Sequence, residues 1–200
     1  KIWLSSPHMG GEEMKYIQQA FDENWIAPLG PNVNGLESDI EKFLESPVHV
    51  AAVSSGSAGL HLALILLGVK PGDDVICQSL TFSASANSIL YVGGHPVFVD
   101  SEKDTWNICP QLLDKAIQER IAVGKKPKAI ITVCLYGMPY KIDEVRLVAL
   151  KYQIPIIEDS AEALGSMYKG RKTGTFGDIS IFSFNGNKII TSGGGGVIVT

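Results

Sequence analysis

Short apolar runs rich in valine and isoleucine recur along this chain, and helix-length segments separate them. No other feature constrains the fold as tightly. Residues 48–53, 74–78, 96–99, 129–135, 154–157, 179–184 and 197–199 read as strands. Several are apolar at consecutive positions instead of alternating, the pattern of strands covered on both faces. Residues 12–24, 36–45, 58–67, 82–91, 110–122 and 142–152 read as helices. Pro110 stands at a first helical position, where its missing N–H costs nothing, and Gly68 and Pro71 stop the third helix. The expectation is an α/β fold: a mostly parallel sheet of seven strands, sandwiched by helices. It forms one domain over residues 1–200, with no internal repeat or linker. Ligands in such sheets gather at the carboxyl ends of the strands.

Composition narrows the partners. The chain has 200 residues, 45% of them hydrophobic and 19% charged, enough for a substantial core. The net charge of −4 and the absence of a basic run argue against nucleic acid. No apolar stretch approaches the roughly 20 residues of a membrane span. Cys77, Cys109 and Cys134 are odd in number, widely spaced and without metal-ligand spacing, and His8, His49, His61 and His95 show none either. Free thiols, no metal and a reducing, cytoplasmic setting are expected. No signal-peptide pattern is read at the start. The chain opens on Lys1 and closes inside a β-branched run at 197–200, so a piece of a longer protein is expected.

Four strand ends carry candidate chemistry. Ser54-Ser55-Gly56-Ser57-Ala58-Gly59 lies at a strand-to-helix junction, where free amides and the helix dipole suit a phosphate. A serine capping the helix is the competing reading, and the residues leave both open. Thr81-Phe82 follows the 74–78 strand; the aromatic either stacks on a flat ring or belongs to the core. Glu158-Asp159-Ser160-Ala161-Glu162 follows a buried strand, where a carboxylate costs solvation unless it meets a cation or a donor. Asp159 could hold a protonated ring nitrogen, or cap the next turn. Lys188 sits in Ser183-Phe184-Asn185-Gly186-Asn187-Lys188, before glycines 193–196. A Schiff base needs a neutral lysine nitrogen that can attack a carbonyl; a solvated surface lysine is the plainer alternative. The cluster Lys169, Arg171, Lys172 reads as a solvated turn. Phosphate seat, stacking face, ring-nitrogen partner and Schiff-base amine are together what a protein supplies to pyridoxal phosphate.

With these motifs the chain resembles the pyridoxal-phosphate-dependent nucleotide-sugar aminotransferases of the DegT–StrS type, over essentially its whole length. The resemblance rests on Trp25-Ile26 with Gly30-Pro31, Ser55-Gly56-Ser57-Ala58, Thr81-Phe82, residues 158–165, residues 174–178 and residues 183–188. It implies that Lys188 carries the Schiff base and moves protons, that Asp159 holds the ring nitrogen, and that Phe82 stacks on the ring. It implies that Gly56, Ser57 and Ser183 hold the phosphate, and that Trp25 and Ile26 touch the substrate. Glu162 takes the position that bonds the cofactor's phenolic oxygen, where many relatives carry glutamine and where a carboxylate repels a phenolate. The 183–188 form looks most like the branch that aminates UDP-linked 4-keto-6-deoxy-N-acetyl sugars, with glutamate as donor, for surface polysaccharide or glycan synthesis. The resemblance also implies a homodimer with a shared active site, and a smaller C-terminal domain beyond this large one. A sugar dehydratase and a regulatory pyridoxal-phosphate-binding protein are the alternatives within the family. Lys188 argues against the first, because a histidine replaces that lysine there. A non-enzymatic phosphate-binding module is the reading outside the family.

Overall fold

The computed structural model describes residues 2, 6, 8–25, 27 and 29–200. Seven strands form one sheet: β1 (Val50–Val53), β2 (Asp74–Gln78), β3 (His95–Val99), β4 (Ala129–Val133), β5 (Ile156–Asp159), β8 (Ile179–Ser183) and β9 (Gly196–Val199). Their order is β1-β9-β8-β5-β4-β2-β3. The four pairings from β8 across to β3 are parallel, and the two that β9 makes are antiparallel. The expected mostly parallel sheet is therefore present, with its one reversed strand inserted between β1 and β8.

Helices cover both faces because the strands are apolar on both. On one face, α3 (Gly56–Leu66) and α4 (Ala84–Tyr91) bury Leu60, Leu64 and Ile89 against Cys77, Ile131, Ile157 and Ile181. On the other, α5 (Pro110–Ala122) and α6 (Ile142–Tyr152) bury Leu113, Ile117 and Val145 against Ile76, Ile130 and Ile156. There, too, α2 (Pro31–Leu44) sets Ile40 and Leu44 against Val50, Phe182 and Val197. Neighbours such as Ile130 and Ile131 serve opposite cores, which is why the runs lack polar alternation. The first helix, α1 (Glu13–Asp22), is amphipathic but buries no residue; Met14, Ile17 and Phe21 are exposed. Among the described residues, no helix is long and apolar enough to cross a membrane.

The element ends differ from expectation where polar side chains intervene. The strand expected over 129–135 stops at Val133, because Leu135–Gly137 close a 3-10 turn and the Leu135 N–H turns to Asn107 Oδ1 at 3.1 Å. Helix α2 starts at Pro31, five residues before the apolar periodicity that marked it, since proline suits a first turn. Lys169, Arg171 and Lys172 do not make a plain solvated turn. They belong to a small hairpin of β6 (Met167–Tyr168) and β7 (Arg171–Lys172). Its two-residue loop, Lys169-Gly170, has φ of 49° and 79°, the left-handed pair a tight hairpin demands.

The loop from that hairpin into β8 leaves no room at Gly174. Its φ is +84°, and a Cβ there would run into the Phe182 ring. Gly174→Ala therefore combines backbone strain with overpacking and is expected to cost about 2–5 kcal/mol, read by chemical denaturation of the full-length protein.

Candidate active site

The carboxyl ends of β1, β4, β5 and β8 and the N-terminus of α3 enclose a cavity of about 930 Å³. Gly56, Ser57, Phe82, Asp159, Glu162, Ser183 and Lys188 all line it. Seven of the nine residues marked in the sequence thus share one wall system. Trp25 is not among the lining residues; it is half-exposed, donates its indole N–H to Glu23 Oε2 at 3.1 Å, and its ring sits against Gly30. Ile26 lies outside the described residues.

At the α3 N-terminus both readings of the serines apply, to different residues. Ser55 is the cap: its Oγ accepts the Ala58 N–H at 3.0 Å. Ser57 lies two residues further in, on the cavity wall, where the dipole of the 11-residue helix is positive. The helix meets the sheet so closely that a Cβ on Gly56 would lie 2.9 Å from Cβ of Ser183. Only glycine lets α3 point its free end at this spot.

Lys188 is not a solvated surface lysine. Its side chain is 11% exposed, and Nζ lies 3.1 Å from Glu162 Oε1. The other oxygen of Glu162 accepts the Tyr136 N–H at 2.8 Å, so the carboxylate is held from two sides. Tyr136 is bent into position by a φ of 51°, and the next residue, Gly137, leaves room for the Glu162 carbonyl. Phe82 is no core residue either: it is 72% exposed, and its ring borders the cavity.

Asp159 ends β5, and 6% of it is exposed. Oδ2 accepts the Ser85 hydroxyl at 2.8 Å, and Oδ1 the Ala161 N–H at 3.2 Å. Burial raises its pKa above the ordinary aspartate value; Ser85, the Ala161 N–H and the Lys188 charge pull the other way without cancelling it. The same burial, with the Asp159 charge added, pushes the Cys77 thiol up to about 12. Cys77 and Cys134 are buried, protonated thiols, and Cys109 is half-buried.

Glu158, fully buried, points the opposite way. It accepts the N–H groups of Gly174, Phe176 and Gly177 at 2.8, 2.9 and 3.1 Å, and the hydroxyls of Ser160 and Ser180 at 3.0 and 3.3 Å. Reading the sequence for chemistry missed this role, although period-2 alternation puts consecutive carboxylates on opposite faces. Ser85 was missed as well; Thr81 stands before α4, so no helical spacing in the sequence marks the pair. Among the described residues, no group of three or more His, Cys, Asp or Glu side chains is placed to hold a metal ion.

The DegT/DnrJ/EryC1/StrS aminotransferase family model matches residues 7–200. The chain belongs to that family. It is 54% identical over 200 residues to the provisionally named pyridoxal phosphate-dependent aminotransferase EpsN of Bacillus subtilis, covering all of this chain and 51% of that protein. It is 43% identical over 201 residues to the GDP-perosamine synthase of Escherichia coli O157:H7, covering 53% of it. The fold superposes with a TM-score of 0.90 on the PMP form of a provisionally named sugar aminotransferase, Spr1654 of Streptococcus pneumoniae. That match is 33% identical and covers 98% of this chain and 52% of the other. The chain spans about half the length of the relatives it matches. Within the family frame, the cavity is the place where residues of opposite charge converge at the ends of parallel strands.

The raised pKa of Asp159 makes a signed prediction for the cofactor-free protein. Below the unfolded-state value, about 3.9, the group is protonated folded and unfolded and costs nothing. As pH rises through the folded value, its ionisation is harder in the fold, and stability falls. Asp159→Asn removes that cost. The melting temperature of the variant relative to the parent is therefore expected to climb from pH 4 to pH 7, by scanning calorimetry.

Proposed function

We propose that the protein is a pyridoxal-phosphate-dependent aminotransferase that moves an amino group from an amino-acid donor, glutamate, to a keto-deoxy sugar nucleotide. The observation that carries this reading is the convergence of Lys188, Asp159 and the α3 N-terminus on one cavity. The residues fit the cofactor by their own chemistry. Asp159 is a carboxylate nine-tenths buried, with hydroxyl and amide donors and, among the described residues, no cation bonded to it, so a protonated ring nitrogen would supply the missing charge. The glycine-lined end of α3 supplies amides to a phosphate. Pyridoxal phosphate, when bound, supplies an aldehyde for the donor's amine and an electron sink for the carbon that loses a proton.

The chain's own groups do the rest. Nζ of Lys188 would act as base toward the donor's α-carbon in the first half of the cycle and as acid toward the sugar carbon in the second, the cofactor holding the amino group and the proton between the halves. Glu162, 3.1 Å from that nitrogen, holds it inside the cavity while it is free. Asp159 holds the ring-nitrogen proton in place, and the Phe82 face orients the ring. The Ser183 hydroxyl and the Gly56 and Ser57 backbone fix the phosphate end, so that the reacting atoms meet Lys188.

The relative named GDP-perosamine synthase points to a nucleotide sugar as acceptor. The motif form over 183–188 favours a UDP-linked 4-keto-6-deoxy-N-acetyl sugar, in surface polysaccharide or glycan synthesis. The two are separable by offering the full-length protein UDP- and GDP-linked keto sugars in turn; a clear preference for GDP overturns the UDP assignment. We place the work in the cytoplasm of the cell, in a homodimer.

The test begins with absorbance. The full-length protein mixed with pyridoxal phosphate should gain a Schiff-base band near roughly 410–430 nm, and glutamate should bleach it. Lys188→Ala should remove the band and lower turnover by about 10²–10⁴-fold. A band that survives this substitution unchanged sinks the assignment of Lys188.

A further inference from the structure

One buried hydroxyl lies outside the roles above and touches them. Ser85, on the first turn of α4, is fully buried and reaches across to β5, placing Oγ 2.8 Å from Asp159 Oδ2. A serine in a helix usually bonds a carbonyl of the preceding turn. Ser88, three residues on, does this with the Ser85 carbonyl at 2.9 Å, whereas Ser85 directs its only proton to another element.

That proton fixes the direction of a second bond. Thr81 Oγ1 lies 2.9 Å from Ser85 Oγ. An ionised carboxylate only accepts, so the Ser85 proton belongs to Asp159. The Thr81–Ser85 contact must then use the proton of Thr81. The bonds run one way, from Thr81 on the cavity wall through Ser85 to Asp159. Two donors in line polarise each other and favour charge at the end of the chain. The Ala161 N–H holds the second carboxylate oxygen at 3.2 Å, so each oxygen keeps a lone pair for the cavity.

We propose that Thr81 and Ser85 form a two-hydroxyl relay that keeps the Asp159 carboxylate ionised and aimed into the cavity, and so sets how firmly a protonated ring nitrogen is held there. The first half stands on the hydrogen bonds alone; the second rests on the pyridoxal-phosphate reading. Both residues are positioning residues: they act on the ring nitrogen only through Asp159. The other titratable groups that act on Asp159 are Lys188 and Glu162, from the loops after β8 and β5, with Cys77 on β2 and Cys134 after β4. Only Lys188 among them favours its charge, so the hydroxyls and the Ala161 N–H carry the remaining support.

The test reads Asp159 directly, in full-length protein without cofactor. Side-chain ¹³C NMR of labelled aspartate, assigned with Asp159→Asn, gives its titration midpoint. Ser85→Ala should raise the proton affinity of Asp159 about tenfold and Thr81→Val about threefold, from the size of a hydrogen bond to a charged group and of its polarisation. Thr81→Ser keeps the hydroxyl and should leave the midpoint in place. With ¹⁵N-labelled pyridoxal phosphate bound, the ring-nitrogen signal should shift toward the unprotonated position in the first two variants only, and its dissociation constant should rise about tenfold in Ser85→Ala. Variants that melt earlier but keep the parent's midpoint would show hydroxyls that merely pack, and the relay would be overturned. Should Ser85→Ala fail to fold, Thr81→Val, on the cavity wall, decides alone. If the parent itself binds no pyridoxal phosphate, the functional reading falls, while the ¹³C midpoints still uphold or overturn the relay.

Discussion

Glu158 is a carboxylate with no access to water, and the geometry of the site hangs from it. Six donors surround it: three backbone amides from the loop that enters β8, two hydroxyls and, at 3.8 Å, the Cys134 thiol. A buried carboxylate without them would cost several kcal/mol, so the loop and the carboxylate hold each other. The loop's shape depends on glycines at the tightest points. A Cβ on Gly177 would lie 3.0 Å from the Glu158 backbone nitrogen and 2.7 Å from the Ile179 carbonyl. With the loop clamped, β8 enters in register beside β5, Ile157 against Ile179 and Asp159 against Ile181. The strand that leads to Lys188 is thereby set beside the one that ends in Asp159.

The pleat then converts one residue of chain into a change of role. Glu158 faces the side of α2, α5 and α6 and does structural duty, while Asp159 faces the side of α3 and α4 and borders the cavity. A slip of one residue would exchange them, sending the anchoring carboxylate into the cavity and Asp159 into the loop. Register is secured from the neighbours as well. Gln78, at the end of β2 and fully buried, accepts the N–H groups of Ile108 and Val133, and its amide donates to the Leu80 carbonyl and to Asn107. Asn107 in turn holds Leu135 and Met138. These two amides align the ends of β2 and β4 without presenting any group to the cavity.

What could be read from residues alone followed the strength of the local signal. The continuous apolar runs marked all seven strands of the sheet: the five inner ones are buried along nearly their whole length, and the edge strands β1 and β3, only partly covered, keep enough valine to be seen. The hairpin of β6 and β7 left none: two-residue strands with charged side chains have no periodicity, and only Lys169-Gly170 hints at the turn. The charged groups of the site were legible because a lysine or carboxylate at an interior strand end is costly and needs a reason. Ser85 was not, since serine is cheap to bury and common in helices, and its partner lies 74 positions away. Trp25 carried a motif, yet it packs on Gly30 away from the cavity lining, for a motif gives adjacency in sequence and says nothing about which wall a side chain faces.

Helix α3 follows β1 but crosses to the end of β8: a Cβ on Gly56 would lie 2.9 Å from Cβ of Ser183 and 3.6 Å from Ile181 Cδ1. Ile181 pairs with Asp159 across β8 and β5, so the positive helix end and the carboxylate open on one cavity from neighbouring strands. Each already has partners of its own, the Ser55 cap for the helix and the Ser85 hydroxyl and Ala161 N–H for Asp159. The reversed strand, β9, stands between β1 and β8. It enters the sheet through glycines 193–195, where the Gly195 N–H bonds the Ser54 carbonyl at 3.2 Å and the Phe184 N–H bonds the Gly195 carbonyl at 3.0 Å. Side chains there would enter the cavity that these glycines line. A backbone stripped to glycine joins β1 to β8 and leaves the volume open beside Lys188.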